Sequence, residues 1–167
     1  LQTMGEKAIA ATQPDGNMSL DLKIEQVKQY PTKDGEVTEI LLKDKVYPFE
    51  IKQYYKAYQG TDIISTWIEI MNNGKKSVTL YRFVSAYLPV QRGDNWLTHF
   101  HGHWGAENML EEEKLTNGQK VISNKDGMVN TETDNPSFML SIDGKPQEEY
   151  GHILGGTLAW TGNYLLK

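Results

Sequence analysis

Short stretches in which every second residue is apolar, separated by turns rich in glycine, asparagine and proline, recur along this chain. They leave room for almost no helix. Met18, Leu20, Leu22 and Ile24 alternate with Ser19, Asp21, Lys23 and Glu25, just after a turn signal at Gln13-Pro-Asp-Gly-Asn17. A period of two puts the apolar set on one face of an extended strand, whereas a helix would scatter it. Residues 31–35 (Pro-Thr-Lys-Asp-Gly) read as a turn, and Thr38, Ile40 and Leu42 resume the alternation. A β-hairpin is the simplest connection.

The pattern repeats downstream. Residues 49–58 form a strand with Phe49, Ile51, Tyr55 and Ala57 on one side. Ile64, Thr66, Ile68 and Ile70 share a face opposite Trp67 and Glu69, and Asn72-Asn73-Gly74 supplies residues that tolerate positive φ. The expected return strand, 77–88, places Val78, Leu80, Val84 and Ala86 against Tyr81, Phe83 and Tyr87, which predicts a second hairpin. Residues 105–113 read as a short helical turn and 114–135 as a long surface loop with at most one strand, near 120–123. Strands are expected at 138–142 and 153–160, with a further strand starting at Tyr164. Residues 1–167 are therefore expected to form a single domain, a large antiparallel β-sandwich with little or no helix.

Composition narrows the function classes. A chain of 167 residues can bury a real core. Its mean hydropathy of −0.56 is low, and nine tyrosines supply apolar area of the kind half-exposed sheets use. A net charge of −5 with no basic block excludes phosphate-tracking nucleic-acid binding. No apolar run approaches the roughly 18–20 residues of a spanning helix, so no membrane partner is expected. The absence of cysteine excludes disulfides. There is no phosphate-cradling glycine loop, no Gly-x-Ser-x-Gly elbow and no cysteine nucleophile, and no cofactor is expected. The chain starts at Leu1 and ends on the apolar Leu165-Leu166-Lys167, which reads as a piece cut from a longer protein and leaves localisation open.

Residues 95–108, Asn-Trp-Leu-Thr-His-Phe-His-Gly-His-Trp-Gly-Ala-Glu-Asn, concentrate the chemistry. On a strand, His99, His101 and His103 project from one face, as a zinc or copper site requires. Such a site also needs orienting partners and usually a fourth ligand, which the sequence does not display. Gly102 further suggests a bend before the third imidazole. The three are therefore read as hydrogen-bonding or surface groups, with no metal expected. Trp104, flanked by Gly102 and Gly105, can offer a flat apolar face to a sugar and one N–H donor at its edge. Glu107 can accept a hydroxyl hydrogen bond. On composition alone the default for Trp104 is a place in the core. Trp67 and Trp160 are expected in the core, and Trp96 is open. The run Glu111-Glu112-Glu113 reads as a solvated face, and no carboxylate pair stands out for glycosidic cleavage.

Four motifs then fall in a recognisable order. Trp67-Ile-Glu69-Ile-Met-Asn72-Asn-Gly74 with Val78-Thr-Leu80-Tyr-Arg82 comes first, and His101-Gly-His-Trp104-Gly-Ala-Glu107 carries a Gly-x-Trp-x-x-Glu pattern. Asn135-Pro136-Ser-Phe138 and Gly155-Gly-Thr-Leu-Ala-Trp-Thr-Gly-Asn-Tyr164 complete the series. Together they resemble the N-terminal domain of glycoside hydrolase family 36, the bacterial α-galactosidases.

The resemblance implies a β-supersandwich like that of galactose mutarotase, preceding a (β/α)₈ barrel that is absent here. It implies retaining hydrolysis of terminal α-galactosides such as raffinose-type oligosaccharides, by two aspartates on that barrel. No catalytic residue is then expected in this chain. The matching tryptophan, Trp104, is implied to reach the galactose pocket, with Glu107 beside it as a substrate-binding candidate. The full-length enzyme is implied to form a homo-oligomer. Two departures leave the sugar open, including N-acetylgalactosamine. Gly105-Ala-Glu-Asn108 replaces a common Ala-Arg-Glu-Arg, and residues 127–133 lack a histidine. The alternative is a free-standing carbohydrate-binding β-sandwich module.

Overall fold

The computed structural model describes residues 8–128, 132–160 and 162–167. The 127–133 loop and the closing motif at 155–164 thus fall partly outside the described residues. The described chain contains no helix; its regular structure is antiparallel strand throughout, the all-β class the alternation predicts. It divides into two compact units, Leu1–Pro89 and Val90–Lys167.

The first unit is built on a four-stranded meander. Strands β2 (Leu22–Thr32), β3 (Gly35–Asp44), β4 (Phe49–Tyr58) and β5 (Ile64–Asn72) pair in chain order. The expected first hairpin is present, with only Lys33 and Asp34 left between the paired Thr32 and Gly35. A two-stranded ribbon of β1 (Ile9–Thr12) and β6 (Thr79–Phe83) completes the unit. Ala11 from the ribbon and Phe49 and Ile51 from β4 form the buried centre, with Leu22, Leu42, Ile70 and Val78 packed around them.

Three expectations change here. Ile24 lies exposed although it still pairs in register with Leu42, and a bulge between Ile24 and Gln26 then shifts the rest of β2 by one residue against β3. A one-residue slip moves the side chains beyond it to the opposite face. Tyr54, on the face opposite Phe49, is buried instead of Tyr55. Its ring stacks on Trp67 with centroids 4.8 Å apart, and its hydroxyl donates to Glu69 Oε2 at 3.0 Å. Burial, then the bond to Glu69, pushes the Tyr54 phenol up to about 12. Trp67 is accordingly a partly covered stacking partner, 37% exposed, and not a core residue.

The predicted hairpin between 64–72 and 77–88 does not form. Strand β6 is short and pairs with β1, leaving β5 at the edge of its sheet. The turn residues explain why. Asn73 donates its backbone N–H to Pro48 O at 2.8 Å, and Asn72 Nδ2 donates to Lys76 O at 2.8 Å. The first bond ties the connection back to the end of the β3–β4 loop and the second closes the turn on itself, and the chain leaves the meander instead of doubling along it.

Asp44 fixes that same loop. Its carboxylate accepts from the backbone N–H of Val46 (2.9 Å), Tyr47 (3.0 Å) and Asp21 (2.8 Å). Burial works to raise its pKa, but the three donors outweigh that and hold the carboxyl below its ordinary value.

The second unit contains a sheet in the order β11 (His152–Thr157), β10 (Ser137–Ile142), β7 (Trp96–His103) and β8 (Ala106–Lys114). A small ribbon pairs β9 (Ile122–Asn124) with β12 (Tyr164–Leu166). The expected helical turn over 105–113 is strand β8. Met, Leu, Glu and Lys favour a helix locally, but pairing along β7 overrides that weak preference. The strands expected near 120–123, at 138–142, within 153–160 and from Tyr164 are all present, with bounds shifted by a few residues.

Leu97, Ile122 and Tyr164 form this unit's core with Leu115, Phe138, Leu158 and Leu166 around them. Burial, then the charge of Asp134, pushes the Tyr164 phenol up to about 12, and its hydroxyl donates to Asp134 O. Gly156 lies opposite Phe138 in the β10–β11 pair, and a Cβ there would stand 2.5 Å from the phenyl ring. Trp160, expected in the core, is 61% exposed and folds over Gly162, where a Cβ would meet the indole at 2.6 Å.

Candidate functional site

The β7–β8 hairpin carries every candidate residue of the 95–108 stretch. Its base is fixed by Asn95, a buried residue whose Nδ2 donates to Gln91 O at 2.9 Å. The Asn95 carbonyl accepts from Leu115 N–H at 2.8 Å, and Lys114 pairs with Asp94 at 2.7 Å. Trp96 is half-buried, with the Lys145 ammonium 5.3 Å from its ring centroid. Lys145 in turn pairs with Glu112 at 2.9 Å.

At the far end the pairing of His103 with Ala106 leaves Trp104 and Gly105 as a two-residue turn. Gly105 sits at φ 78°, a region open to glycine at no steric cost, so the residue after the tryptophan is what lets the turn close. Behind the turn β8 carries one extra residue against β7, opposite Gly102, where the sequence suggests a bend. Asn108 absorbs it at φ 54°, a left-handed conformation that asparagine tolerates. Glu107 lies in this bulge and is exposed.

Trp104 is 85% exposed at the tip of this hairpin, far from the core position that composition alone favours. A tryptophan so placed gains nothing from burial within its own unit. Its carbonyl lies 3.0 Å from His103 Nδ1; since a carbonyl only accepts, the bond requires the proton on Nδ1.

The three histidines part company. His103 is turned to the backbone at the exposed tip. His99 is 3% exposed, half-way down β7, with Glu111 directly opposite on β8. His101 Nδ1 and His99 Nε2 each lie 3.5 Å from Glu111 Oε2. Lys120 pairs with Glu113 and lies 3.7 Å from Glu111. The glutamate run is therefore not a uniformly solvated face. Strand alternation turns Glu111 and Glu113 toward His99, and Glu112 to the other side with Trp96. The sequence signals only part of this: carboxylates two apart on a strand share a face, but their meeting with His99 depends on the β7–β8 register.

Two surface depressions measure about 240 and 180 Å³, the second lined in part by Thr98, Leu110 and Glu112 of this hairpin. Gln13, Tyr47, Asn72 and Lys76 contribute to the first, and Thr98, Met139, Ser141 and Ile153 to the second. Trp104 and Glu107 line neither. Each of these two depressions has a single carboxylate in its lining, Asp15 in the first and Glu112 in the second.

Comparison with known proteins places this geometry. The family model of the glycosyl hydrolase family 36 N-terminal domain matches residues 2–167. The chain is 26% identical over 134 residues to alpha-galactosidase AgaA of Geobacillus stearothermophilus, covering 80% of this chain and 18% of that protein. It is 27% identical over 166 residues to alpha-galactosidase Mel36A of Lactobacillus acidophilus, covering 90% of this chain and 22% of the relative. The chain thus spans about a fifth of the curated relatives it matches. The crystal structure of AgaA superposes with a TM-score of 0.88 at 22% identity, over 97% of this chain and 24% of that one. An alpha-galactosidase from Lactobacillus brevis superposes with a TM-score of 0.84 at 21% identity, over 97% of this chain and 24% of that one. The fold is shared with these enzymes, and the chain belongs to the glycosyl hydrolase family 36 N-terminal domain family.

Proposed function

We propose that this chain is the non-catalytic N-terminal part of a retaining α-galactosidase, in which Trp104 helps wall the sugar pocket and Glu107 contributes a hydroxyl acceptor. Both compact units then belong to one N-terminal sandwich domain, and a (β/α)₈ barrel elsewhere in the polypeptide supplies the two catalytic aspartates. The substrate class is a terminal α-galactoside, such as the raffinose and stachyose found in complexes of AgaA variants. The full-length enzyme is proposed to act as a homo-oligomer.

One observation carries the reading. Trp104 stands 85% exposed on a two-residue turn that its neighbours hold in place, and it is not among the residues lining the 240 and 180 Å³ depressions. An indole presented this way is complementary to the C–H face of a sugar held in a pocket that other residues complete.

The test is Trp104→Ala in the full-length enzyme. The proposal expects kcat/KM on an aryl α-galactoside to fall by about tenfold or more, which is about 1.4 kcal/mol of lost transition-state binding. The melting temperature should stay nearly unchanged, since surface substitutions usually shift stability by about 0.5 kcal/mol or less. Unchanged kinetics would remove Trp104 from the pocket. Saturable galactose binding by the isolated chain would favour the free-standing module instead.

A further inference from the structure

Half-way down the same hairpin lies a cluster that the sugar-facing tip does not use. His99 is 3% exposed, and neither of its ring nitrogens makes a hydrogen bond. Burial strips water from both nitrogens, so the ring is desolvated without compensation. Ligand atoms of His99, Glu111 and Glu113 all fall within 4.8 Å of one another. His101 Nδ1 and His99 Nε2 stand at the same 3.5 Å from one Glu111 oxygen. Donors on a tetrahedral ion with bonds of about 2.0–2.1 Å are themselves spaced by about 3.3 Å, close to the 3.5 Å between each of these two imidazole nitrogens and Glu111.

We propose that His99, Glu111 and Glu113, with His101 as an outer donor, form a divalent-cation site of the zinc type. Mixed imidazole and carboxylate donors suit zinc better than calcium or magnesium, which prefer oxygen alone. The donor set differs from the one that His-x-His-x-His spacing suggests. His103 is excluded by its bond to the Trp104 carbonyl, and the missing ligands come from the neighbouring strand. The side chains of His101 and Glu111 are 42% and 40% exposed, so an ion can enter without unfolding the sheet.

Lys120 is the resident counter-charge. Its ammonium pairs with Glu113 and approaches Glu111 to 3.7 Å, holding the two carboxylates together as a cation would. A lysine on a flexible four-carbon stem can swing to solvent when a divalent ion enters. The ion then braces β7 against β8 below the turn that presents Trp104. The site lies in the hairpin's stem and does not depend on the proposed sugar contact at its tip.

The test uses the full-length protein with zinc as the probe. Zinc content after dialysis, affinity by competition with a chelating dye, and the melting temperature are compared for wild type, Glu111→Gln and Lys120→Met. Glu111 is partly exposed, and a matching circular dichroism spectrum checks that its variant is folded. Wild type should hold one more zinc per chain than Glu111→Gln, and saturating zinc should raise its melting temperature by about 5 °C. Lys120→Met, freed of the competing ammonium, should bind zinc about tenfold more tightly. Equal zinc content and equal melting shifts in wild type and Glu111→Gln would overturn the site. So would an affinity that ignores the loss of Lys120.

Discussion

Trp104 and Asp44 show two opposite ways in which one residue can matter here. Trp104 makes almost no contact with its own unit, and its conformation is set by neighbours: Gly105 at positive φ, the His103 bond to its carbonyl, and the Asn108 bulge. Asp44 is 9% exposed and takes three backbone N–H donors. Asp44→Asn keeps one acceptor oxygen but offers an N–H where Asp21 also donates. This variant should lose about 1–3 kcal/mol of unfolding free energy at pH 7. The pH dependence has a definite sign. The folded pKa is depressed, so the unfolded chain takes up the proton first as pH falls. Wild-type stability from this group is complete above the ordinary carboxyl value of 3.8 and is lost as pH drops through the lower folded value. Denaturant melts at pH 7 and pH 3 should therefore show the gap between wild type and Asp44→Asn narrowing in acid. A constant gap would mean the ionised form contributes nothing.

At the scale of strands, the sequence alternation locates segments well and partners poorly. Residues 49–58 form the strand that the alternation predicts, because Phe49 and Ile51 mark a buried face and flanking turn residues mark its ends. The 64–88 hairpin fails because Asn72-Asn73-Gly74 announces a turn but not its direction. That direction is set by the bond from Asn73 to Pro48, a contact remote in sequence. Trp67 misses the core because a period of two assigns a face but does not say whether anything covers it, and Trp160 because the strand expected over 153–160 already ends at Thr157. The helix expected at 105–113 loses to pairing with β7. The β10–β11 pair offers a direct check on close packing. Gly156→Ala would place a methyl against the Phe138 ring and should cost about 1–3 kcal/mol through overpacking. In Phe138→Leu, which shortens the opposing side chain, the same Gly156→Ala change should cost markedly less. Additive losses in the double variant would show that the two residues do not press on each other.

For the molecule as a whole, the fold class and family are legible in the sequence while the site is only half so. Four motifs in order carry the family, and the match over residues 2–167 agrees with them. The exposure of Trp104 is not legible, since an indole between two glycines is compatible with a core or a surface until the register of β7 and β8 is known. The meeting of His99 with Glu111 and Glu113 is likewise hidden, because it depends on a cross-strand register set by the Trp104–Gly105 turn. The proposed function is a division of labour. Under that proposal this part of the polypeptide shapes and presents, and the bond-breaking carboxylates lie in a part it does not contain. The most direct measurement is hydrolysis of an aryl α-galactoside by the isolated 167-residue chain and by the full-length protein, side by side. The account predicts turnover by the full-length protein and none by the isolated chain. Turnover by the isolated chain, or none by the full-length protein, would contradict it.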